Sequence, residues 1–499
     1  MGTSPSAVRP PAGTGRTPSP APPAARRLST TAVLVIACAA QFMVVLDVSI
    51  VNVALPAMRA DLHLTPAGQQ WIVNAYTLGF AGLLLLGGRL ADLIGPRRAF
   101  LTGLGVFTLA SLAGGLADGA GPLIAARAAQ GIGGAVLAPA TLTLIMTTFT
   151  EPRARTRAMG AWSAVMAAGG AAGAVVGGLL TEYAGWRWVL FVNVPVGVAL
   201  FLAALAYVPA GAARRGGLRR MDLPGAATVT AGLTALVYGI ISTESHGWGS
   251  PVVWGPLAAA VLLLAAFTAI ESRVAHPLVP LGILRRRTLV TANLVTMLAG
   301  AAMFAMWFVL SLYFQQVLGY SAVRAGLAFV AGSAAIIAGS QIATRTITRT
   351  GPRPLLVAGT LTSTVGFVWL SRFTPDGGYL TDVLGPFVLC TLGMGLSMMP
   401  ATVAATGGVP REEAGLASGL ANTFRQVGGA VGLAVLATVA SHTTATRLAE
   451  GGVDVPQALT AGFGRALLVG ALFTACALLG ALTLPTRRAA AAKAADAPA

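Results

Sequence analysis

The stretch VVLDVSIVNVALP, Val44–Pro56, places Asp47 and Asn52 inside a long apolar run. On scales of insertion into a bilayer, a carboxylate at the centre of a spanning helix costs about 2.5–3.5 kcal/mol. Acids in such helices usually face the interior of a bundle or a water-filled cavity, where they find a partner. The stretch therefore predicts a membrane helix whose buried acid has a function.

The composition around this stretch is that of a membrane protein. Of the 499 residues, 55% are hydrophobic and 10% are charged, whereas about one-quarter of a soluble chain is charged. Runs of about 20 mainly apolar residues predict spanning helices, because an open strand edge cannot be satisfied in hydrocarbon. Fourteen such spans start near residues 32, 69, 98, 121, 157, 187, 222, 251, 289, 324, 352, 379, 415 and 461.

The basic residues orient these spans. With fourteen spans both termini lie on one side, and that side carries 25 Lys and Arg residues against six on the other. By the positive-inside rule both termini are predicted to be cytoplasmic. The net charge of +17 could also indicate nucleic-acid binding, but short arginine clusters between apolar spans favour a membrane surface. The cysteines and histidines are scattered, which predicts no metal site and no disulfide framework.

Three short repeats divide the chain. The pairs GPRRAFLTG and GPRPLLVAG, PAT and PAT, and GGAAG and GGAVG recur in the same order at offsets of 256, 261 and 259 residues. A duplicated six-helix unit with two helices inserted between the copies explains this spacing. The predicted domains are a disordered cytoplasmic tail 1–31, an N-terminal half 32–210, a linker with two extra helices 211–285, a C-terminal half 286–485 and a second disordered tail 486–499.

Asp47 and Arg127 are predicted to couple transport to protons. Both lie at comparable depth in their spans at 1.5 Å per residue, so a pairing is geometrically possible. A carboxylate whose surroundings alternate between dry and wet can load and release a proton once per cycle. The alternative is a static ion pair that only fixes helix packing.

Other polar residues within the spans are candidates for a substrate cavity. The span that starts near residue 415 carries a polar stripe, which must face the bundle interior. Each candidate could equally be a hydrogen-bonding contact between helices. The candidates are Asn52, Gln130, Gln315, Gln316, Asn422, Arg425 and Gln426.

The stretch GGAAGAVVGG, Gly169–Gly178, spaces glycines four residues apart. This pattern predicts close packing of the helix that starts near residue 157 on a neighbour. Spacing alone leaves open whether it also governs the direction of transport. The residues of the motif are Gly169, Gly173, Gly177 and Gly178.

These motifs together resemble the major facilitator superfamily, specifically its fourteen-span drug:proton antiporters. The match includes LDVSIVNVALP, GRLADLIGPRR (Gly88–Arg98), RAAQGIGGAVLAPA (Arg127–Ala140), the glycine motif and WRWVLFVNVPVG (Trp186–Gly197). The resemblance implies an all-α integral membrane protein with the major facilitator fold and 14 transmembrane helices, as two six-helix halves plus two inserted central helices.

The resemblance also implies roles for the matched residues. Asp47 and Arg127 would take part in proton coupling. A loop would latch the cytoplasmic gate against the N-terminus of the helix that starts near residue 415, and its residues are Gly88, Asp92, Gly95 and Arg97. The chain departs from the family pattern at Leu93 and Pro96, where basic residues are usual, and at Ala174, where proline is usual.

The predicted function is proton-driven export of amphipathic, cationic or neutral organic compounds such as drugs or antibiotics, by a monomer in the plasma membrane that needs no cofactor. One alternative is a dedicated exporter of one endogenous metabolite or amino acid. Another class, a membrane enzyme or sensor, would need a clustered constellation of reactive residues or a sizeable soluble domain, and the sequence offers neither.

Overall fold

The chain is described here by a computed structural model. The residues that it describes are Gly2, 24–209, 222–275, 277–406 and 414–485. The predicted C-terminal tail 486–499 and most of the predicted N-terminal tail lie outside the described residues.

Helices account for nearly all of the described chain. They are α1 (Ala24–Asp61), α2 (Pro66–Ile94), α3 (Pro96–Gly115), α4 (Ala120–Thr148), α5 (Pro152–Tyr183), α6 (Trp188–Phe191), α7 (Asn193–Tyr207), α8 (Leu223–His246), α9 (Pro251–Glu271), α10 (Arg287–Leu312), α11 (Ala322–Thr350), α12 (Pro352–Leu370), α13 (Leu384–Thr406), α14 (Ala414–Glu450) and α15 (Val455–Thr483). A π-helical turn, Tyr313–Val317, extends α10, and a second, Tyr379–Val383, leads into α13.

The helices begin where the sequence supplies start signals. Pro96 and Pro352 occupy the first turns of α3 and α12, where the missing N–H costs nothing. The side-chain oxygens of Thr65, Ser250 and Asp454 cap α2, α9 and α15 by accepting hydrogen bonds from backbone N–H groups. Local chemistry therefore fixes where most spans enter the bundle.

Among the described residues, thirteen helical segments are long and apolar enough to cross a membrane. Helices α6 and α7 form one of these segments, Trp188–Tyr207. The remaining long helix, α5, has 32 residues and packs between α1 and α11. The prediction of an all-α membrane protein is confirmed, whereas the count of fourteen spans stays a prediction.

Two groups of helices meet across an interface. On one side α1 packs on α5, and α4 packs on both α2 and α3; on the other, α10 packs on α14, and α13 packs on both α11 and α12. The groups touch through α5 with α11 and through α2 with α14. Helices α8 and α9 pack on each other, and α8 also contacts α2 and α14. We call the end of the bundle where α1 finishes the Asp61 side.

The repeated motifs adopt matching geometry. Gly95 and Gly351 have positive φ angles of 90° and 79°, and a proline follows each one to start a helix. Only glycine adopts such angles without strain. Pro139 and Pro400, from the two PAT motifs, both lie inside helices, α4 and α13. The repeat that the sequence predicts is therefore visible in the backbone, while the exact domain boundaries stay a prediction.

Candidate functional site

Asp47 lies in the middle of α1 with no exposed surface. One carboxylate oxygen, Oδ2, accepts a hydrogen bond from Arg127 Nη1 at 2.5 Å. The other, Oδ1, accepts from Asn193 Nδ2 at 2.8 Å and from Gln130 Nε2 at 3.1 Å. Residues of α1, α4 and α7 thus converge on one carboxylate, and the pairing of Asp47 with Arg127 that the sequence allows is present.

Arg127 is held on several sides. Its side chain is buried, with 1% of the residue exposed. Its Nε donates to the carbonyl of Ile72 at 3.2 Å, Nη1 also donates to Gln130 Oε1 at 2.9 Å, and the guanidinium lies 4.4 Å from the centre of the Tyr76 ring. A cation over an aromatic face is attracted by the ring quadrupole. The arginine therefore has partners on α1, α2 and α4.

Gln130 joins the ion pair to a further helix. Besides its contacts to Asp47 and Arg127, its Nε2 donates to Ser111 Oγ on α3 at 2.6 Å. Gln130 has no exposed surface and lies in the charge network, so its part in a substrate cavity stays a prediction. We call Asp47, Arg127, Gln130, Asn193 and Ser111 the α1 acid network.

Two members of this network, Asn193 and Ser111, were missed by the sequence analysis. Asn193 lies inside the quoted motif WRWVLFVNVPVG, and as an amide within an apolar span it is a signal that could have been used. Ser111 carries no such signal, because a hydroxyl within a helix commonly bonds its own backbone, as Ser111 also does with Phe107.

A role for this network in proton coupling would require it to rearrange. The carboxylate accepts three donors, and a buried ion pair is tolerated when geometry and hydrogen bonds satisfy both charges. A proton on Asp47 would compete with at least one of these donors. Helix movement that separates Arg127 from Asp47 would free the carboxylate for protonation, which is the chemistry that coupling requires.

The polar residues of α14 form a different kind of site. Arg425 Nη2 donates to Asn422 Oδ1 at 2.6 Å, one turn earlier on the same helix. The guanidinium Nε of Arg425 is buried without a hydrogen-bond partner, and the residue as a whole keeps some exposed surface. Gln426 beside it is buried. The structure brings Asn422 and Arg425 together, but places them apart from the α1 acid network.

The remaining cavity candidates line the contact between the two helix groups. The side-chain amide of Asn52 donates to the backbone carbonyl of Val48 within α1. The backbone carbonyl of Asn52 accepts a hydrogen bond from Ser311 Oγ at 2.7 Å. Gln315 Nε2 donates to the carbonyl of Val53 at 3.1 Å. Gln316 is partly buried on the same π-helical turn. Asn52 and Gln315 therefore join α1 to α10 on the Asp61 side.

The predicted gating loop lies at the opposite end of the bundle. Gly88 is half-buried near the end of α2 and Gly95 turns the chain into α3. Arg97 Nη2 donates to the carbonyl of Leu205 at the end of α7, at 2.7 Å. The side chain of Asp92 lies outside the described residues, so a latch against α14 stays a prediction.

The glycine motif of α5 serves two contacts. A Cβ added at Gly169, Gly173 or Gly177 would meet α1 residues, in the case of Gly173 the Cβ of Ser49 at 2.7 Å. A Cβ at Gly178 would instead lie 2.5 Å from the carbonyl oxygen of Ala322 on α11. Close packing is thus what these glycines permit, and Gly178 permits it between the two helix groups.

Comparison with known proteins agrees with this architecture. Residues 37–433 match the model of the Major Facilitator Superfamily. The chain is 50% identical to the Cephamycin export protein CmcT of Amycolatopsis lactamdurans over 85% of this chain and 87% of that protein. It is 44% identical to the Puromycin resistance protein pur8 of Streptomyces alboniger, with 89% and 88% covered, and 37% identical to the Tetracenomycin C resistance and export protein of Streptomyces glaucescens, with 79% and 73% covered.

Solved structures share the fold at low sequence identity. A bacterial homologue of the human lysosomal transporter Spinster, in an inward-facing and occupied conformation, aligns with a TM-score of 0.64 and 16% identity, covering 93% of this chain and 97% of that one. An auto-inhibited peptide transporter of the POT family aligns with a TM-score of 0.64 and 15% identity, covering 95% and 98%.

Proposed function

The chain belongs to the major facilitator superfamily and is a membrane transporter, and from that premise we propose that it exports antibiotics or similar amphipathic organic compounds in exchange for protons. The observation that carries the coupling is the α1 acid network, in which a fully buried carboxylate is paired with a buried arginine. Proteins similar over most of their length are named for export of cephamycin and of tetracenomycin C and for resistance to puromycin.

Our proposal for the direction of coupling starts from the membrane orientation that the positive-inside rule predicts. We place both termini in the cytoplasm because the arginine-rich loops lie on that side, which makes the Asp61 side extracellular. A proton that enters from outside would neutralise Asp47 and release Arg127, and its departure to the cytoplasm would restore the pair. The gradient then favours one cycle direction, and substrate moves outward. The transporter would work as a monomer without a cofactor.

Alternating access requires the Asp61 side to open and close. In this conformation Ser311 and Gln315 bond the α1 backbone, and the N–H of Val323 on α11 donates to Glu182 Oε2 on α5 at 3.0 Å. A Cβ on Gly326 would collide with the carbonyl of Ala174, where the family usually has proline. These contacts would close the extracellular side in the state that loads substrate from the cytoplasm.

A second candidate is export of one metabolite made by the same cell, because two of the similar proteins are named for export of a single antibiotic. It shares the mechanism and differs in the breadth of substrates. Breadth is therefore read from the same assay as coupling.

The test uses inverted membrane vesicles with an acidic interior. Puromycin, tetracenomycin C and a cephamycin are added one at a time, and proton leakage and accumulation of each compound are recorded. We expect at least one compound to accumulate, to evoke leakage and to stop accumulating when the pH gradient is collapsed. Accumulation that survives collapse of the gradient would contradict proton coupling. Accumulation of one compound alone would favour the dedicated exporter.

A further inference from the structure

Arg425 is a cation inside a spanning helix, and no carboxylate of the described residues pairs with it. The ion pairs between described residues include Arg127 with Asp47, Arg187 with Asp61 and Arg447 with Glu450. Arg425 belongs to none of them, and the group that it does contact, the Asn422 side-chain amide, is neutral. Charges inside a membrane are costly and are normally paired. An anionic group from outside the described chain would therefore stabilise Arg425.

Arg425 lies at the contact between α14 and α10. Helix α14 is contacted by α2, α8, α10, α13 and α15, and Arg425 keeps some exposed surface within this set of helices. The arginine stem passes over Gly300 of α10, where an added Cβ would lie 3.1 Å from Arg425 Cγ. The same Cβ would lie 2.5 Å from the backbone carbonyl oxygen of Arg425, so glycine at position 300 lets α10 and α14 approach each other closely beside this arginine.

An aromatic side chain lies one turn further along the same contact. A Cβ added to Gly429 would fall 2.8 Å from Phe304 Cγ, so the Phe304 ring lies over this glycine, four residues after Arg425. Phe304 is only partly buried. A cation and an aromatic face are thus adjacent along one seam between α10 and α14, as an apolar molecule with one acid group would require.

The balance of charge favours an acid over a base at this site. Asp47 is neutralised by Arg127 within the α1 acid network, whereas Arg425 has no carboxylate partner among the described residues. A cationic substrate would meet like-charge repulsion there, whereas a carboxylate would gain a charge-assisted hydrogen bond in a site of low dielectric.

We infer that the transported compound, or the group by which it is recognised, is an amphipathic carboxylate whose acid binds Arg425 and whose apolar part packs on Phe304. This inference rests on the proposed export function and replaces the cationic or neutral substrate predicted from the sequence. Arg425 is a specificity-determining residue in this account, separate from the proton-coupling pair.

The test compares one acid with its neutral twin. Dansylglycine and dansylglycinamide share the same apolar body and differ in one charge. Their binding to the purified full-length transporter is measured by equilibrium dialysis against protein-free detergent micelles. The variants are Arg425→Gln, Arg425→Lys and, as the control on the same helix, Arg447→Gln, which removes an exposed arginine.

We expect the wild type to bind the acid about tenfold more tightly than the amide, since one charge-assisted hydrogen bond contributes about that factor. Arg425→Gln should bring the ratio near one, and Arg425→Lys and Arg447→Gln should keep most of it. Equal binding of the two probes by wild type, a ratio unchanged in Arg425→Gln, or binding of neither probe would overturn the inference. If the vesicles still couple antibiotic accumulation to protons, export stands while the acid preference falls.

Discussion

Arg127 and Arg425 both lie within spanning helices, yet the protein treats them differently. Arg127 is buried and bonded to a carboxylate, a glutamine and a backbone carbonyl. Arg425 keeps exposed surface, has an unpartnered Nε and bonds a neutral amide. Arg127 is thus paired within the first group of helices, whereas Arg425, in the second group, bonds no carboxylate among the described residues.

A charge within a membrane helix can serve in two ways. A pair that the protein satisfies by itself can switch between states, because its energy changes when the partners separate. A charge that the protein leaves unsatisfied can bind a ligand, because the ligand then supplies the missing interaction. The two arginines each have an amide three residues away, Gln130 and Asn422, so the local sequence does not distinguish them. What distinguishes them is Asp47, which lies far from Arg127 in the sequence and pairs with it in the structure.

Replacing each arginine by glutamine should give the largest difference in stability between the two sites. Arg127→Gln leaves Asp47 as a buried charge without its cation, and we expect the free energy of unfolding to fall by about 3–5 kcal/mol. Arg425→Gln leaves no carboxylate behind, so the stability should be unchanged or higher. Denaturation of both variants in detergent, followed by tryptophan fluorescence, measures the two values. Equal losses would mean that Arg425 has a hidden acid partner.

Neutralising both Asp47 and Arg127 tests whether the stability lost in Arg127→Gln comes from the unpaired carboxylate. In the double variant Asp47→Asn, Arg127→Gln, no charge is left in the α1 acid network. We therefore expect most of the stability lost in Arg127→Gln to return. Transport coupled to protons should not return, because no titratable group remains in the network. A thermal-shift series with single and double variants gives the interaction energy, and recovered coupling in vesicles would refute the assigned role.

Asn193 contributes a smaller part of the same network. Asn193→Ala removes one of the three donors to Asp47, and a hydrogen bond to a charged group contributes about 1.5–3 kcal/mol. Asn52→Ala is the matched control, because that amide bonds its own helix. We expect loss of stability in the first variant and little change in the second. A similar effect of both changes would show that the Asn193 contact is not used.

Gly178 tests the contact between the two halves. A methyl group added at Gly178 would lie 2.5 Å from the Ala322 carbonyl oxygen. Such overpacking costs about 1–3 kcal/mol, and here it would destabilise the conformation in which the Asp61 side is closed. Gly170→Ala is the control, since a Cβ there meets nothing within 4 Å. A cysteine at Ser311, in a background without native cysteines, should react faster with an impermeant maleimide in Gly178→Ala than in Gly170→Ala. Equal rates would remove Gly178 from the closure.

The sequence predicted the helices well because hydrophobic length and start signals are local. The span expected from residue 251 begins at Pro251, and the one expected from 379 begins at Tyr379 with a π-helical turn. Larger differences arise where polar or basic residues continue a helix beyond the membrane: α1 begins at Ala24 and not near residue 32, because the intervening stretch contains no helix breaker.

The candidate site could be predicted only in part, because it is assembled from distant segments. Asp47 and Arg127 stand out as charges in apolar runs, whereas Ser111 and Asn193 become partners only when α3 and α7 pack beside them. The same limit applies to Arg97. The resemblance to the family's loop motif assigns it to a gate, but its contact with the Leu205 carbonyl depends on where α7 ends.

The most direct test of the account compares two acids of the same helix. Asp47 and Asp61 both lie on α1 and both pair with an arginine, at 2.5 Å and 2.6 Å, but the Asp61 side chain is 48% exposed and that of Asp47 is fully buried. Inverted vesicles with an acidic interior should show substrate-evoked proton leakage for wild type and for Asp61→Asn, and none for Asp47→Asn. Undiminished leakage in Asp47→Asn would contradict the claim that this carboxylate carries the coupled proton.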